Sequence, residues 1–161
     1  MLILTQSAWS PRDAKGLDAL AAAAKREALR QSASSDPDVL LLLPHAPMGA
    51  DGVLSESDAM AVVKTAATSS GLHLAGSAVM TADEASASQT IGFVVAPNGN
   101  VLLRTLKISP DLIEGFTDTT SAMGQPAEFP IATLPFAKVG MLCGEDIHFP
   151  QYGRALAFHG A

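Results

Sequence analysis

The feature that most constrains this fold is a short run that is apolar at every position. The letters VLLLL occupy residues 39–43, and Pro44 closes the run. A strand with one solvated face would alternate apolar and polar residues, so this run predicts a strand covered on both faces. The chain must therefore supply covering layers on both sides of its sheet.

Strand-like and helix-like patterns alternate along the rest of the chain. Ser10 and Pro11 form an N-cap and a first-turn proline, which predict a helix extending to about Arg30. Ser55, with Asp58 three residues on, begins a second predicted helix that Gly71 ends. A final helix is predicted from Pro150 to Gly160, and strands are predicted at 2–4, 72–80, 91–96, 101–106 and 139–143. This order predicts an α/β fold built from layers.

Three stretches are predicted to be irregular. The tetrapeptide at 97–100 contains Asn98-Gly99 between two strand patterns, which indicates a hairpin turn. Residues 81–89 are polar and are predicted to form a turn. Residues 108–132 contain three prolines and several glycines and are predicted to be loop with at most one helical turn. The 161 residues are interpreted as one domain, 1–161.

Composition and charge narrow the classes of partner. The chain is 48% hydrophobic and 16% charged, which is typical of a globular protein. Its net charge is −6 and it has no lysine or arginine cluster, so we expect neither nucleic acid nor an anionic membrane as a partner. Small molecules or other proteins remain as the expected classes of partner. Cys143 is the only cysteine and no leader or membrane-length apolar run is visible, so we expect a soluble, cytoplasmic protein.

Four segments carry recognisable motifs in a consistent order. Their sequences are DVLLLLP at 38–44, PNGNVLLRTLK at 97–107, VGMLCGEDIHFP at 139–150, and RALA and the closing GA within 154–161. Together they resemble motifs of the nitrilase superfamily of carbon–nitrogen hydrolases. The family's versions are a strand ending in P-E, a hairpin ending in Y-R-K, the segment V-G-x-x-I-C-Y-D-x-x-F-P and the helix R-x-L-A-x-x-G-A.

The resemblance implies a four-layer α-β-β-α sandwich and a hydrolase acting on amides or nitriles. It also implies a glutamate general base, a lysine that stabilises the oxyanion and a cysteine nucleophile, with no cofactor. Lys107 lies eight residues after Gly99, at the position of the family's lysine. The alternative is a solvated lysine that closes a strand.

The general-base position holds His45 in place of glutamate. Imidazole can act as a base near neutral pH, but it is shorter than glutamate and cannot carry a negative charge beside a lysine. The alternative is a strand-end histidine hydrogen-bonded to backbone. No substitute base is identified among the acids that follow, which are Asp51, Glu56 and Asp58.

The nucleophile position is also altered. Counting from either flank places Gly144 where the family has its cysteine, and Cys143 lies one residue earlier. On a strand, a one-residue shift turns a side chain to the opposite face, so we expect Cys143 to face the core. A local bulge is the alternative that would return Cys143 to the pocket as the nucleophile.

Other polar residues near these positions have two interpretations. Glu145 and Asp146 are similar to an acidic pair in some glutamine-amidase branches, and Gly144 and Glu145 are therefore candidate substrate-binding residues. The alternative role of the two acids is to cap the helix near Pro150. The family often has a further acid between its lysine and its cysteine. Glu114, Asp118 and Glu128 lie in this interval, but none is at a spacing that identifies it as that acid. No histidine or cysteine spacing indicates a metal site.

The resemblance stops at residue 161, before the strands and helices that complete the family's domain. We therefore expect a fold that is incomplete at its C-terminus, as in a truncated chain or one completed by a homodimer or a second chain. Three hypotheses stay open. The chain is a nitrilase-like protein with decayed catalysis, an active amidase that uses Cys143, or a structural partner of another subunit.

Overall fold

The apolar run at 39–43 lies inside a sheet, as its pattern predicts. A computed structural model describes residues 2–4, 12–31, 39–46, 54–81, 88–109 and 128–161. Within them, strand β2 (Leu40–Leu42) pairs in parallel with β1 (Leu2–Leu4) on one side and with β4 (His73–Thr81) on the other. Leu41 is fully buried, which agrees with a strand covered on both faces.

The main sheet has six strands in the order β1-β2-β4-β5-β6, and the short β3 (Leu54–Ser55) also pairs with β4. Strand β3 is parallel to β4, whereas β5 (Ser88–Val95) runs antiparallel to both β4 and β6 (Val101–Leu106). The predicted hairpin joins β5 to β6. Gly99 has φ 81°, a left-handed conformation that suits glycine, and Asn98 Oδ1 accepts a hydrogen bond from Asn100 N at 3.0 Å.

Two helices cover one face of this sheet. Helix α2 (Glu56–Ser70) has the predicted ends, since Ser55 Oγ accepts from Asp58 N at 3.1 Å and Gly71 has φ 69°. Helix α1 (Ala14–Gln31) begins three residues later than predicted. Asp13 Oδ1 accepts from Gly16 N at 2.8 Å and so supplies the cap, whereas Ser10 and Pro11 lie outside the described residues.

The side chains between these helices and the sheet form the larger core, and we call this side of the sheet the helix face. On β5, Ile91, Phe93 and Val95 point into it. The intervening residues point the other way, because successive side chains of a strand alternate. We call that opposite side the site face. It packs through Val94 and Leu103 against a second, smaller sheet.

The second sheet corrects two predictions. Its strands are β7 (Ile131–Thr133) and β8 (Lys138–Gly140). The stretch 108–132 was predicted as loop, but its last residues form β7, whereas 110–127 lie outside the described residues. Strand β8 also ends at Gly140 rather than at residue 143, and a 3-10 helix (Gly144–His148) follows.

Helix α3 (Pro150–Phe158) forms the last layer, close to its predicted bounds. A Cβ added at Gly140 of β8 would lie 2.6 Å from Leu156 Cδ2, so the helix packs directly on that strand. The order of layers is therefore helices, main sheet, second sheet and helix. This is the α-β-β-α order that the sequence resemblance implies. No helix in the described ranges is long and apolar enough to cross a bilayer.

Candidate active site around Lys107

A row of small polar residues crosses three strands on the site face. Ser77 of β4 pairs with Gly92 of β5, which pairs in turn with Thr105 of β6. Directly paired residues point to the same face with Cβ atoms about 4.5–5.5 Å apart. Because no large side chain stands in this row, another segment of backbone can approach the sheet here. The segment that follows β8 does so.

Lys107 continues this face beyond the end of β6. Its backbone N donates to Thr90 O at 2.9 Å, which keeps it in register with β5. Lys107 lies two residues after Thr105, and only 2% of it is exposed. The alternative interpretation as a solvated lysine at a strand end is therefore wrong. Burying an ammonium group is costly unless it is paired or hydrogen-bonded, so buried lysines are candidates for functional sites.

Cys143 packs against the same row. It is 1% exposed, and a Cβ added at Gly92 would lie 2.6 Å from Cys143 Sγ. The pKa of the thiol is raised from 9.0 to about 12, mainly by burial and also by the Asp146 carboxylate, while the Lys107 ammonium acts in the opposite direction. The group is thus a protonated thiol at neutral pH, which is a poor nucleophile.

Gly144 is the first residue of the 3-10 helix and directly follows Cys143, whose backbone is extended. The chain turns at this glycine. Its φ of 53° lies in the left-handed region, where residues with a Cβ are strained. It is exposed, unlike Cys143. A Cβ added at this position would lie 3.5 Å from Lys107 Cε and 3.9 Å from Lys107 Cδ. A side chain at position 144 would therefore point to the lysine, whereas that of Cys143 is buried against β5.

Asp146 is a buried carboxylate that ties this turn to the lysine strand. It is 1% exposed and accepts from Ile108 N at 3.0 Å, from Ser109 N at 2.7 Å and from Ser109 Oγ. The alternative in which this acid caps the helix near Pro150 does not hold for Asp146, because its side-chain oxygens bind the residues after Lys107. Glu145 is half-buried beside it.

His45 lies at the other end of the polar row. It follows β2 and Pro44, and its Nδ1 is 3.0 Å from Ser77 Oγ. The alternative interpretation from the sequence had the His45 ring hydrogen-bonded to backbone. The structure shows the Ser77 hydroxyl as a side-chain partner of the ring. Since Ser77 belongs to the site face, the row connects His45 to Gly92 of β5, against which Cys143 packs. The histidine is exposed, so its ring is open to solvent.

Comparison with known proteins supports the fold. Neither the protein-family models nor the curated proteins gave a match to this chain. Solved structures of an amidase from Nesterenkonia sp. AN1 do match. One is a glutamate-to-glutamine mutant that shows the result of Michael addition of acrylamide at the active site cysteine. It has a TM-score of 0.72 and 21% identity, and the match covers 99% of this chain and 63% of that one.

A second is a cysteine-to-alanine mutant in complex with butyramide, with a TM-score of 0.71, 21% identity and coverage of 99% and 61%. A third, at a TM-score of 0.72 and 21% identity, covers 99% and 61% and is named as an amidase of the nitrilase superfamily. The chain has a nitrilase-like fold. It spans 61–63% of the length of these amidases.

Of the acids considered as a replacement base or as the further family acid, Glu56 and Asp58 bind residues outside the site around Lys107. Glu56 pairs with Arg104, whose side chain leaves β6 on the helix face, at 2.5 Å between Arg104 Nε and Glu56 Oε1. Asp58 is exposed and bonds Ser55 at the start of α2, and Glu128 is exposed. The remaining candidates, Asp51, Glu114 and Asp118, lie outside the described residues.

Sequence reasoning missed two parts of this site. Gly92 has no motif of its own, and its role follows only from the close approach of Cys143 across the sheet. For Asp146 the sequence offered an acidic pair or a helix cap but not its actual partners, since hydrogen bonds to residues 37 and 38 positions earlier leave no local pattern. Within the described ranges, no group of histidine, cysteine and acidic side chains is arranged to hold a metal ion.

Proposed function

We propose that this chain is a carbon–nitrogen hydrolase-like domain in which thiol-dependent catalysis is impaired or lost. The observation that supports it most is Gly144, which lies at the turn beside Lys107 and has no side chain to direct at the lysine. Two independent counts in the sequence motif place the family's nucleophile at this same position.

The reaction mechanism explains why a glycine at position 144 impairs catalysis. Hydrolysis of an amide through a covalent intermediate needs a thiolate to attack the carbonyl carbon and a fixed cation to stabilise the oxyanion. Lys107 can serve as the cation. Gly144 supplies no nucleophile, and at neutral pH a thiol such as Cys143, with a pKa of about 12, is ionised only to the order of 10⁻⁵.

The residue at the general-base position is also expected to weaken catalysis. His45 can accept a proton through a neutral ring nitrogen, but it supplies no negative charge to pair with Lys107. Its Nδ1 is already within hydrogen-bond distance of Ser77 Oγ. The family uses a cysteine as the nucleophile and a glutamate as the general base. In this chain the cysteine position holds Gly144 and the glutamate position holds His45.

The ligand class that we propose is a small amide or nitrile, bound without efficient cleavage. Lys107 supports this choice because a buried ammonium is suited to a polarised carbonyl oxygen. The amidases with the same fold have been described with acrylamide and with butyramide. These two compounds are therefore the first substrates to test.

The direct test is ammonia release from butyramide and acrylamide by the chain, with Cys143→Ala as the matched control. We expect no release above the control rate at pH 7. Ammonia release that Cys143→Ala abolishes would overturn the proposal and support an active amidase that uses Cys143.

A second candidate function is assembly, as a homo-oligomer or with a partner chain. The observation that favours it is exposed apolar surface at α3 and the turn before it. Phe158 is 84% exposed and Ile147 is 71% exposed. Contiguous exposed apolar patches often mark protein contacts, and these two side chains are where such a patch would form. Sedimentation equilibrium of the chain and of Phe158→Ser tests self-association, with weaker association expected for the variant. A monomeric unsubstituted chain would contradict it.

A further inference from the structure

We infer that Asp146 is a positioning residue, which holds the strand end carrying Lys107 against the turn at Gly144. This inference rests on the proposed function, because it concerns the geometry of the same lysine site. It assigns a specific task to a buried acid that neither attacks a substrate nor exchanges protons with it.

The first support is the direction of the hydrogen bonds. Asp146 accepts from the backbone N–H groups of Ile108 and Ser109, the two residues that directly follow Lys107. A carboxylate bound by successive backbone amides fixes the backbone itself, not only a side chain. Charge-assisted bonds of this kind are shorter and stronger than neutral ones, and the 2.7 Å bond to Ser109 N fits that class.

The second support is that Asp146 belongs to the turn. Its own N–H donates to Cys143 O at 3.2 Å, and its carbonyl accepts from Phe149 N at 3.2 Å. The backbone of Asp146 is therefore fixed within the 3-10 helix, while its side chain binds the segment after β6. One residue thus joins the two elements that meet where Gly144 faces Lys107.

The third support is burial. Asp146 is 1% exposed and Ser109 is 3% exposed. A buried carboxylate is costly unless its oxygens are satisfied, and here both oxygens accept hydrogen bonds. Among the described residues, the charged or titratable groups that act on this site or adjoin it include Lys107, Cys143 and the half-buried Glu145. A neutral amide at position 146 would present an N–H₂ group to backbone donors.

The test is acetylation of individual lysines by acetic anhydride under native conditions, read by mass spectrometry. Asp146→Asn should accelerate acetylation of Lys107 by about tenfold or more relative to that of the exposed Lys64, since 1.4 kcal/mol of lost restraint is tenfold. Ser109→Ala, which removes only the hydroxyl bond, should have a smaller effect. Val63→Ala is the matched control, because it destabilises the core on the helix face without touching this site.

A second measurement separates positioning from simple charge. In Gly144→Cys, the pH dependence of alkylation by iodoacetamide gives the pKa of the introduced thiol, and Asp146→Asn is then added. Loss of a nearby negative charge alone would lower that pKa, whereas displacement of Lys107 would raise it. We expect it to rise.

Two results would overturn the inference. One is acceleration at Lys107 that is equal in Val63→Ala and Asp146→Asn, and the other is a fall in the pKa of the introduced thiol. Failure of the proposed function has a different signature. If the thiol in Gly144→Cys stays inert, the proposed function fails, and the lysine acetylation still decides the role of Asp146.

Discussion

Cys143 Sγ lies where a side chain at Gly92 would have to be. A Cβ on Gly92 would be 2.6 Å from that sulfur, closer than such contacts ever are in proteins. The glycine in the middle of β5 is therefore a condition for the thiol to be buried. The same contact explains why the only cysteine of the chain serves as a small core residue.

Gly92→Ala should destabilise the fold, because the added methyl group overlaps the sulfur and crowds Thr105 and Met141. We expect a loss of about 1–3 kcal/mol in the free energy of unfolding, measured by urea denaturation. Adding Cys143→Ala should recover part of the loss, since it removes the sulfur. Strictly additive single effects would show that the two residues do not touch.

Burial of Cys143 also makes stability depend on pH. Its folded pKa of about 12 lies above the ordinary value of 9.0. The thiol therefore stabilises the fold fully below pH 9, and this contribution is lost as pH rises from 9 toward 12. The stability difference between the unsubstituted chain and Cys143→Ala should shrink over that range. A difference that stays constant would mean that the thiol ionises normally.

Glu56 should have no part in the site. Its ion pair with Arg104 is on the helix face, where the Arg104 side chain is 44% exposed and that of Glu56 is 17% exposed. Glu56→Gln should reduce stability by about 1 kcal/mol, as expected of an ion pair near the protein surface. It should also leave the reactivity of a thiol at position 144 unchanged. Loss of that reactivity would identify Glu56 as a functional acid.

The sequence predicted the parts of this fold that local patterns encode. The run at 39–43, the caps of α2 and the Asn98-Gly99 hairpin each have a short-range physical cause, and each is found in the structure. Strand β7 was missed because a strand of three residues, Ile131–Thr133, is too short to show a period. The start of α1 was misplaced because the polar residues before it offer more than one possible cap.

The candidate site could be predicted only in part. Counting along the motifs placed Lys107 at the position of the family's lysine. It also placed Gly144 at the position of the family's cysteine, with Cys143 one residue earlier. It did not show that Lys107 is buried, or that the turn at Gly144 faces it, because both depend on contacts between distant segments. The structure supplies those contacts and makes the role of position 144 open to experiment.

The most direct test of the account is to supply the missing side chain. Gly144→Cys should place a thiol next to Lys107 at a strain of about 1–2 kcal/mol, which the fold should tolerate. Gly144→Ser is the matched control, since it carries the same strain without a thiol. The lysine charge should lower the pKa of the introduced thiol, and Lys107→Met in the same background should reverse that effect.

The readout is the site of acrylamide addition at pH 7, located by peptide mass spectrometry. The account predicts an adduct at position 144 in Gly144→Cys and none at Cys143 in the folded unsubstituted chain. A folded Gly144→Cys protein without an adduct at that position, or an adduct at Cys143 of the unsubstituted chain, would contradict it.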